Sequence, residues 1–241
     1  MKKKRKLLED DAALRKLWEA DETVMLDLQA NSVKANRRLW DGYDWARSGG
    51  GEEWTLDAES YLGLDPQRWK SRLIDAMMLK YVKEHSSILE IGPGGGRWTE
   101  HLQRLANRLV IADISQTCLD ICHERFQLCP NIEYHLIQAS LDFLASDSID
   151  YVWAYDVFVH INPTDIGAYI DDIRRVLRRD GYAIIHHAGK YSNEEDRMSN
   201  FRTLVTGEMF VNLVTDHGMK VVEQNDALPH LPGDLITVFS Q

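Results

Sequence analysis

The chain reads as an α/β protein on a doubly wound parallel sheet, and three observations predict it. Ile88-Leu89-Glu90-Ile91 is a short apolar run that meets Gly92-Pro93-Gly94-Gly95-Gly96, and a helical pattern begins at about Trp98. Strand-like and helix-like segments then alternate to about position 187, as βα units around a parallel sheet do. A length of 241 residues, with 44% hydrophobic and 27% charged content, suffices for one sizeable core and an appendage.

Ahead of the glycines, residues 7–28 form a charged helical stretch with Leu7, Leu14 and Leu28 on one seam and Leu17 and Val24 between. Asp10 and Asp21 interrupt it, so it reads either as a coiled-coil seam or as an amphipathic helix laid on the domain. Asn36–Gly51 reads as irregular and ends in the hinge-like Ser48-Gly49-Gly50-Gly51. Trp40, Trp45, Trp54 and Trp69, with Tyr43 and Tyr61, crowd this region. They either roof a ligand pocket or glue the N-terminal segment to the core. Asp65-Pro66 has cap and first-turn chemistry and opens a helix to about Val82. The expected division is an N-terminal helical extension or lid over 1–65 and a cofactor-binding domain over 66–241.

After the glycine turn, a helix is expected over Trp98–Asn107 and a second strand over Leu109–Asp113. A helix over Gln116–Leu128 places Cys118 and Cys122 on one face. The cysteines lack paired metal-ligand spacing, which predicts buried, reduced thiols and no metal site. Ile132–Ile137 reads as the third strand, and Ser148–Ile161 holds the fourth with an adjoining polar segment. Asn162-Pro163 opens a helix closed by Asp180-Gly181, and Gly181–His187 is the fifth strand. Met219–Gln224 and Leu235–Ser240 read as two more strands.

Glycine in a strand-to-helix turn lets backbone approach a ligand, and the first N–H groups of the helix meet a polar group there. A dinucleotide fingerprint requires a sixth-position glycine, where this chain has Arg97, which disfavours a nicotinamide-dependent reductase. Glu90-x-Gly92-x-Gly94-x-Gly96, followed by a second strand ending in Asp113, instead resembles the first motifs of the class I S-adenosylmethionine-dependent methyltransferases, of a bacterial, small-molecule or sugar type. That resemblance implies a Rossmann-like sheet of seven strands, mostly parallel with a reversed last strand. It implies a site for S-adenosylmethionine formed by Glu90, Gly92, Gly94, Gly96 and Tyr155. Asp113 would accept the two ribose hydroxyls, Ile114 would pack on the adenine, and Ser140 and Leu141 would border it.

Asp156 and His160 follow the fourth strand, and His186 and His187 end the fifth, where ligands of open α/β sheets sit. His160 is the expected base for a hydroxyl acceptor, and Asp156 either orients its imidazole or touches the cofactor's amino group. Alternation sends His186 and His187 to opposite sheet faces, so one of them at most serves, and His187 joins the catalytic candidates. Arg197 and Arg202 lie in the polar segment beyond, which family members use to contact the acceptor.

The net charge is −10, and Lys2–Lys6 supplies five of the positive charges, so the rest of the chain carries about −15. That surface repels a phosphate backbone and disfavours nucleic acid as acceptor. No apolar run reaches the roughly 18 residues of a membrane helix. No signal-peptide core follows the basic start, so a cytoplasmic enzyme is expected. The expected partners are a small-molecule or sugar acceptor, with no membrane, and a second copy through the N-terminal helix. The alternative is a module that binds the cofactor without transferring methyl.

Overall fold

The computed structural model describes residues 31–45, 59, 63–189 and 202–241. The N-terminal seam at 7–28, the hinge at 48–51, Trp54, Tyr61 and Arg197 lie outside them. In chain order the elements are α1 (Val33–Asp41), α2 (Pro66–Leu73), β1 (Ser86–Ile91), α3 (Thr99–Leu105), β2 (Ala106–Asp113), α4 (Gln116–Arg125), β3 (Ile132–Leu136) and β4 (Ile149–Ala154). There follow α5 (Pro163–Val176), β5 (Leu177–Ala188), α6 (Gly207–Asp216), β6 (Lys220–Asn225) and β7 (Asp234–Ser240).

The seven strands form one sheet in the order β3-β2-β1-β4-β5-β7-β6. All neighbours pair in parallel except β7, which runs antiparallel to both β5 and β6. The central strands are buried on both faces, which is why they read as continuous apolar runs. Leu89, Ile91, Val110, Ala112, Val152 and Ile185 pack under α5 and α6. Ile88, Leu109, Ile111, Tyr151, Trp153 and Ile184 pack under α2, α3 and α4.

Helix starts follow their caps. Asp65, Ser115, Asn162 and Thr206 each accept a backbone N–H from three residues on. The helix from Pro66 widens into a π-helical turn over Ile74–Leu79, whose Met77 and Met78 are fully buried. One expectation is corrected: residues 33–41 are helical, not irregular, with Ser32 as cap and Ala35 and Leu39 buried. That helix is short, and its buried face mixes Ala35 and Leu39 with the polar Asn36, which masks the period in sequence.

The turn after β1 depends on glycine in the left-handed region. Gly96 has φ +89°, and a Cβ there would stand 2.5 Å from the Phe126 ring. We expect Gly96→Ala to cost about 1–3 kcal/mol from backbone strain and displacement of that ring. Urea unfolding of the two proteins side by side checks it; an unchanged midpoint would show that the turn relaxes freely.

Candidate active site

Beyond the carboxyl ends of β1, β2 and β4 lies a partly open cavity, where ligands of open α/β sheets sit. One wall is the glycine turn, with Gly92, Pro93 and Gly94, and the tip of β2, with Asp113 and Ile114. Tyr155, Asp156, Val157 and His160 supply the floor after β4. Asn36, Trp40 and Trp45 close it from the N-terminal side.

That N-terminal roof is tied down by polar contacts to three separate rim elements. Arg37 donates from Nε to the Ile114 carbonyl (2.9 Å) and from Nη2 to the Ile137 carbonyl (3.0 Å). Asn36 donates to the His160 carbonyl at 2.7 Å, and Asp41 accepts from the Ser115 hydroxyl at 2.6 Å. Trp40 meets the His160 ring edge-on at 5.2 Å, and Trp45 lies 3.0 Å from where a Cβ on Gly94 would stand. Both readings of the tryptophan cluster therefore describe part of it. Trp69 is core, fully buried against Trp98 and Tyr155, with its Nε1 donating to the Leu228 carbonyl.

At the tip of β2, Asp113 accepts the Ser115 N–H at 2.8 Å. Burial pushes its carboxyl up to about 7, against the pull of the Ser115, Gly94 and Ile114 amides. A buried carboxylate facing a cavity, with lone pairs to spare, suits vicinal hydroxyls. The glycine turn beside it leaves the space a side chain would fill. The residues present thus fit a nucleoside such as that of S-adenosylmethionine.

Asp156 has a left-handed backbone, φ 60°, which turns its side chain into a buried ionic cluster. Its carboxylate lies 2.6 Å from Arg97 Nη2, 3.4 Å from His186 Nδ1, 3.5 Å from Arg202 Nη2 and 3.7 Å from His230 Nε2. Burial opposes its ionisation, but His230, His186 and Arg97 prevail and hold its pKa well below the carboxylate range. Arg202 also pairs with the fully buried carboxylate of Asp234 at 2.9 Å and directs Nη1 at His160 Nε2, 3.2 Å away. Asp156, His186 and Asp234 bring ligand-type atoms within 4.8 Å of one another. Two guanidiniums already stand on those carboxylates, and a metal ion would be repelled there.

Five expected site residues lie off the cavity wall. Glu90 is buried and accepts the Thr99 hydroxyl at 2.6 Å, bracing β1 against α3, and burial pushes its pKa up to about 8. Gly96 serves the turn itself. Leu141 is fully buried in the core and its amide donates to Asp172, while the Ser140 hydroxyl accepts the Asp142 amide. Ile137 lines the cavity in their place. His187 stacks on Phe210 at 3.7 Å, and its nitrogens contact the Ala188 carbonyl and the Thr237 hydroxyl. Burial lowers its pKa to about 3, and the ring lies on the sheet face away from the cavity. The expected orientation of His160 by Asp156 is also corrected: Arg202 stands between them. Cys118 lines the cavity, and burial pushes its thiol above the usual range.

Glu90 and Asp113 set a pH dependence of folding. Their folded pKa values, about 8 and about 7, exceed those of an unfolded chain, near 4. At these two carboxyls the native state binds more protons, whereas at the buried neutral rings of His187 and His230, lowered to about 3, the unfolded state does, and the two effects oppose each other below the ordinary histidine range. Stability should therefore fall as pH rises from about 7 to about 8, where only the carboxyls still titrate. Urea midpoints of the ligand-free protein across that range check the sign, and Asp113→Asn should flatten the decline.

A methyltransferase-domain family model matches residues 88–181. The squalestatin hexaketide synthase of a Phoma species is 35% identical over 119 residues, which are 44% of this chain and 5% of that enzyme's length. A SAM-dependent methyltransferase from Aquifex aeolicus superposes with a TM-score of 0.56 at 15% identity, covering 73% of this chain and 98% of its own. The [4+2]-cyclase SpnF superposes at 0.60 with 15% identity, covering 73% and 81%. Residues 88–181 thus match a methyltransferase domain, and the sheet order with its reversed β7 is that of the class I S-adenosylmethionine-dependent methyltransferase fold.

Proposed function

We propose that the protein methylates an oxygen of a small-molecule acceptor, a phenolic, enolic or sugar hydroxyl, at the face of the cavity bounded by Trp40, Trp45 and His160. The observation that carries this reading is one continuous cavity with the family's cofactor wall on one side and an aromatic, histidine-bearing wall on the other. S-adenosylmethionine supplies an activated methyl when bound, so the protein's part is to position and to exclude water. Gly92, Gly94, Asp113 and Ile114 would hold the nucleoside. The edges of Trp40 and Trp45 exclude water, and His160 meets the acceptor's reacting oxygen. Residues 1–65 would serve as the lid of the domain at 66–241, in a chain that works in the cytoplasm.

A second reading has one observation in its favour. The 35% identity to a hexaketide synthase suits an activated carbon of a ketide chain as the atom methylated.

Two variants test the assignment of the walls. Asp113→Ala should weaken S-adenosylhomocysteine binding at least about tenfold, since charge-assisted hydrogen bonds of roughly 1.5–3 kcal/mol are lost. Calorimetric titration reads this, and an unchanged affinity would make Asp113 a helix cap alone. His160→Ala should leave that affinity nearly intact and slow methyl transfer by roughly 10²–10⁴. Full turnover in His160→Ala would remove it from the reaction.

A further inference from the structure

We infer that Arg37, in the N-terminal extension, is a positioning residue for the cofactor's base: it holds Ile114 and Ile137 at the spacing of an apolar slot for the purine of S-adenosylmethionine. This rests on the reading that Asp113 and Ile114 hold the nucleoside.

The hydrogen-bond ladder between β2 and β3 runs out at the tip of the sheet. Asp113 and Leu136 are the last residues in register, and the Ile137 amide donates to the Asp113 carbonyl at 2.8 Å. Beyond that bond the two chains part, because Ser115 caps α4 while the chain after Ile137 enters the connection to β4. The carbonyls of Ile114 and Ile137 therefore stand where one more rung would be.

Arg37 supplies that rung. Its Nε donates to the Ile114 carbonyl at 2.9 Å and its Nη2 to the Ile137 carbonyl at 3.0 Å. The two donors share one edge of a planar group, so their fixed separation sets that of the two carbonyls. A lysine in this place is a point charge with no such edge. The backbone that carries Arg37 is anchored as well, since Asn36 donates to the His160 carbonyl and Asp41 accepts from the Ser115 hydroxyl. The fork is thus in place before a ligand arrives, and binding does not bear the entropy of ordering it.

What the fork holds belongs to the cavity wall. Ile114 and Ile137 both line it, the first next to Asp113 in the chain and the second bonded to it across the sheet. A ribose on Asp113 brings its base, the flat and least polar end of the nucleoside, against these neighbours. Two branched aliphatic side chains suit the faces of a purine. The matched domain at 88–181 contains both isoleucines and lacks Arg37, so the extension completes a slot that the domain supplies in part.

Calorimetric titration of the full chain with S-adenosylhomocysteine tests this. Arg37→Met should weaken binding about tenfold, the scale of one displaced contact, and Arg37→Lys should restore only part of the difference. Urea midpoints of the ligand-free proteins separate position from stability, because a merely structural arginine would lower the midpoint and leave the affinity unchanged. A second measurement does not depend on the folding of any Arg37 variant. In protein with labelled isoleucine methyls, assigned by Ile114→Val and Ile137→Val, the ring protons of the bound purine should show Overhauser contacts to both residues. Unchanged affinity in a folded Arg37→Met, full recovery in Arg37→Lys, or bound S-adenosylhomocysteine without contacts to the two isoleucines would overturn the inference. Loss of binding in Asp113→Ala with none in Arg37→Met would keep the nucleoside wall and remove Arg37 from it. Failure of the unaltered protein to bind S-adenosylhomocysteine would remove that wall, and the role of Arg37 with it.

Discussion

Much of this structure depends on the buried carboxylate of Asp156. A charge removed from water must be paired, and breaking such a pair typically costs about 3–5 kcal/mol. Its neighbours come from distant parts of the chain: Arg97 after the glycine turn, His186 on β5, Arg202 beyond β5, and His230 just before β7. One charge therefore fixes the cofactor turn, the end of β4 and the entry to the reversed strand relative to one another. The left-handed backbone at Asp156 is part of the same constraint, because it turns the carboxylate into the cluster.

The cluster also divides the labour within the cavity. Arg97 packs over the rings of Trp98 and Tyr155 and stays with the glycine turn. Arg202 turns away from it toward His160. The two arginines thus carry one ionic centre into two regions, the glycine turn and the turn that bears His160. The helix α1 joins the second of these to the strand ends from above, since Arg37 bonds the ends of β2 and β3 while Asn36 bonds the turn that bears His160.

The fold was largely legible because its signals are local. Apolar runs between caps and glycines marked the strands, and alternation in β5 placed His186 and His187 on opposite faces. The choice between those two histidines was not local: His187 meets Phe210 of α6, and His186 meets Asp156 and Asp234. The glycine turn and Asp113 were legible because a strand tip and its spacing fix them. Ser140 and Leu141 were misplaced because the loop after β3 folds back on Asp172 of α5, a contact that spacing in sequence does not reveal. Arg202 was noticed only as part of a polar segment. Its significance depends on an acid 32 positions later and a histidine 42 positions earlier.

Common ancestry and specificity occupy different parts of this chain. The matched domain, residues 88–181, contains the glycine turn, Asp113, Asp156 and His160. Trp40 and Trp45, which line the cavity, and the Arg202–Asp234 pair beside His160 all lie outside it. A shared sheet therefore constrains the cofactor much more than the acceptor, and a structural neighbour that is a cyclase illustrates the point. Residues that vary around a common scaffold have freedom to change the charge and shape offered to an acceptor without disturbing the nucleoside wall. Here that freedom is limited by Asp156, because any change at Arg202 or His186 alters the balance around a carboxylate that also holds Arg97. The glycine turn and the turn that bears His160 are linked through that one buried charge.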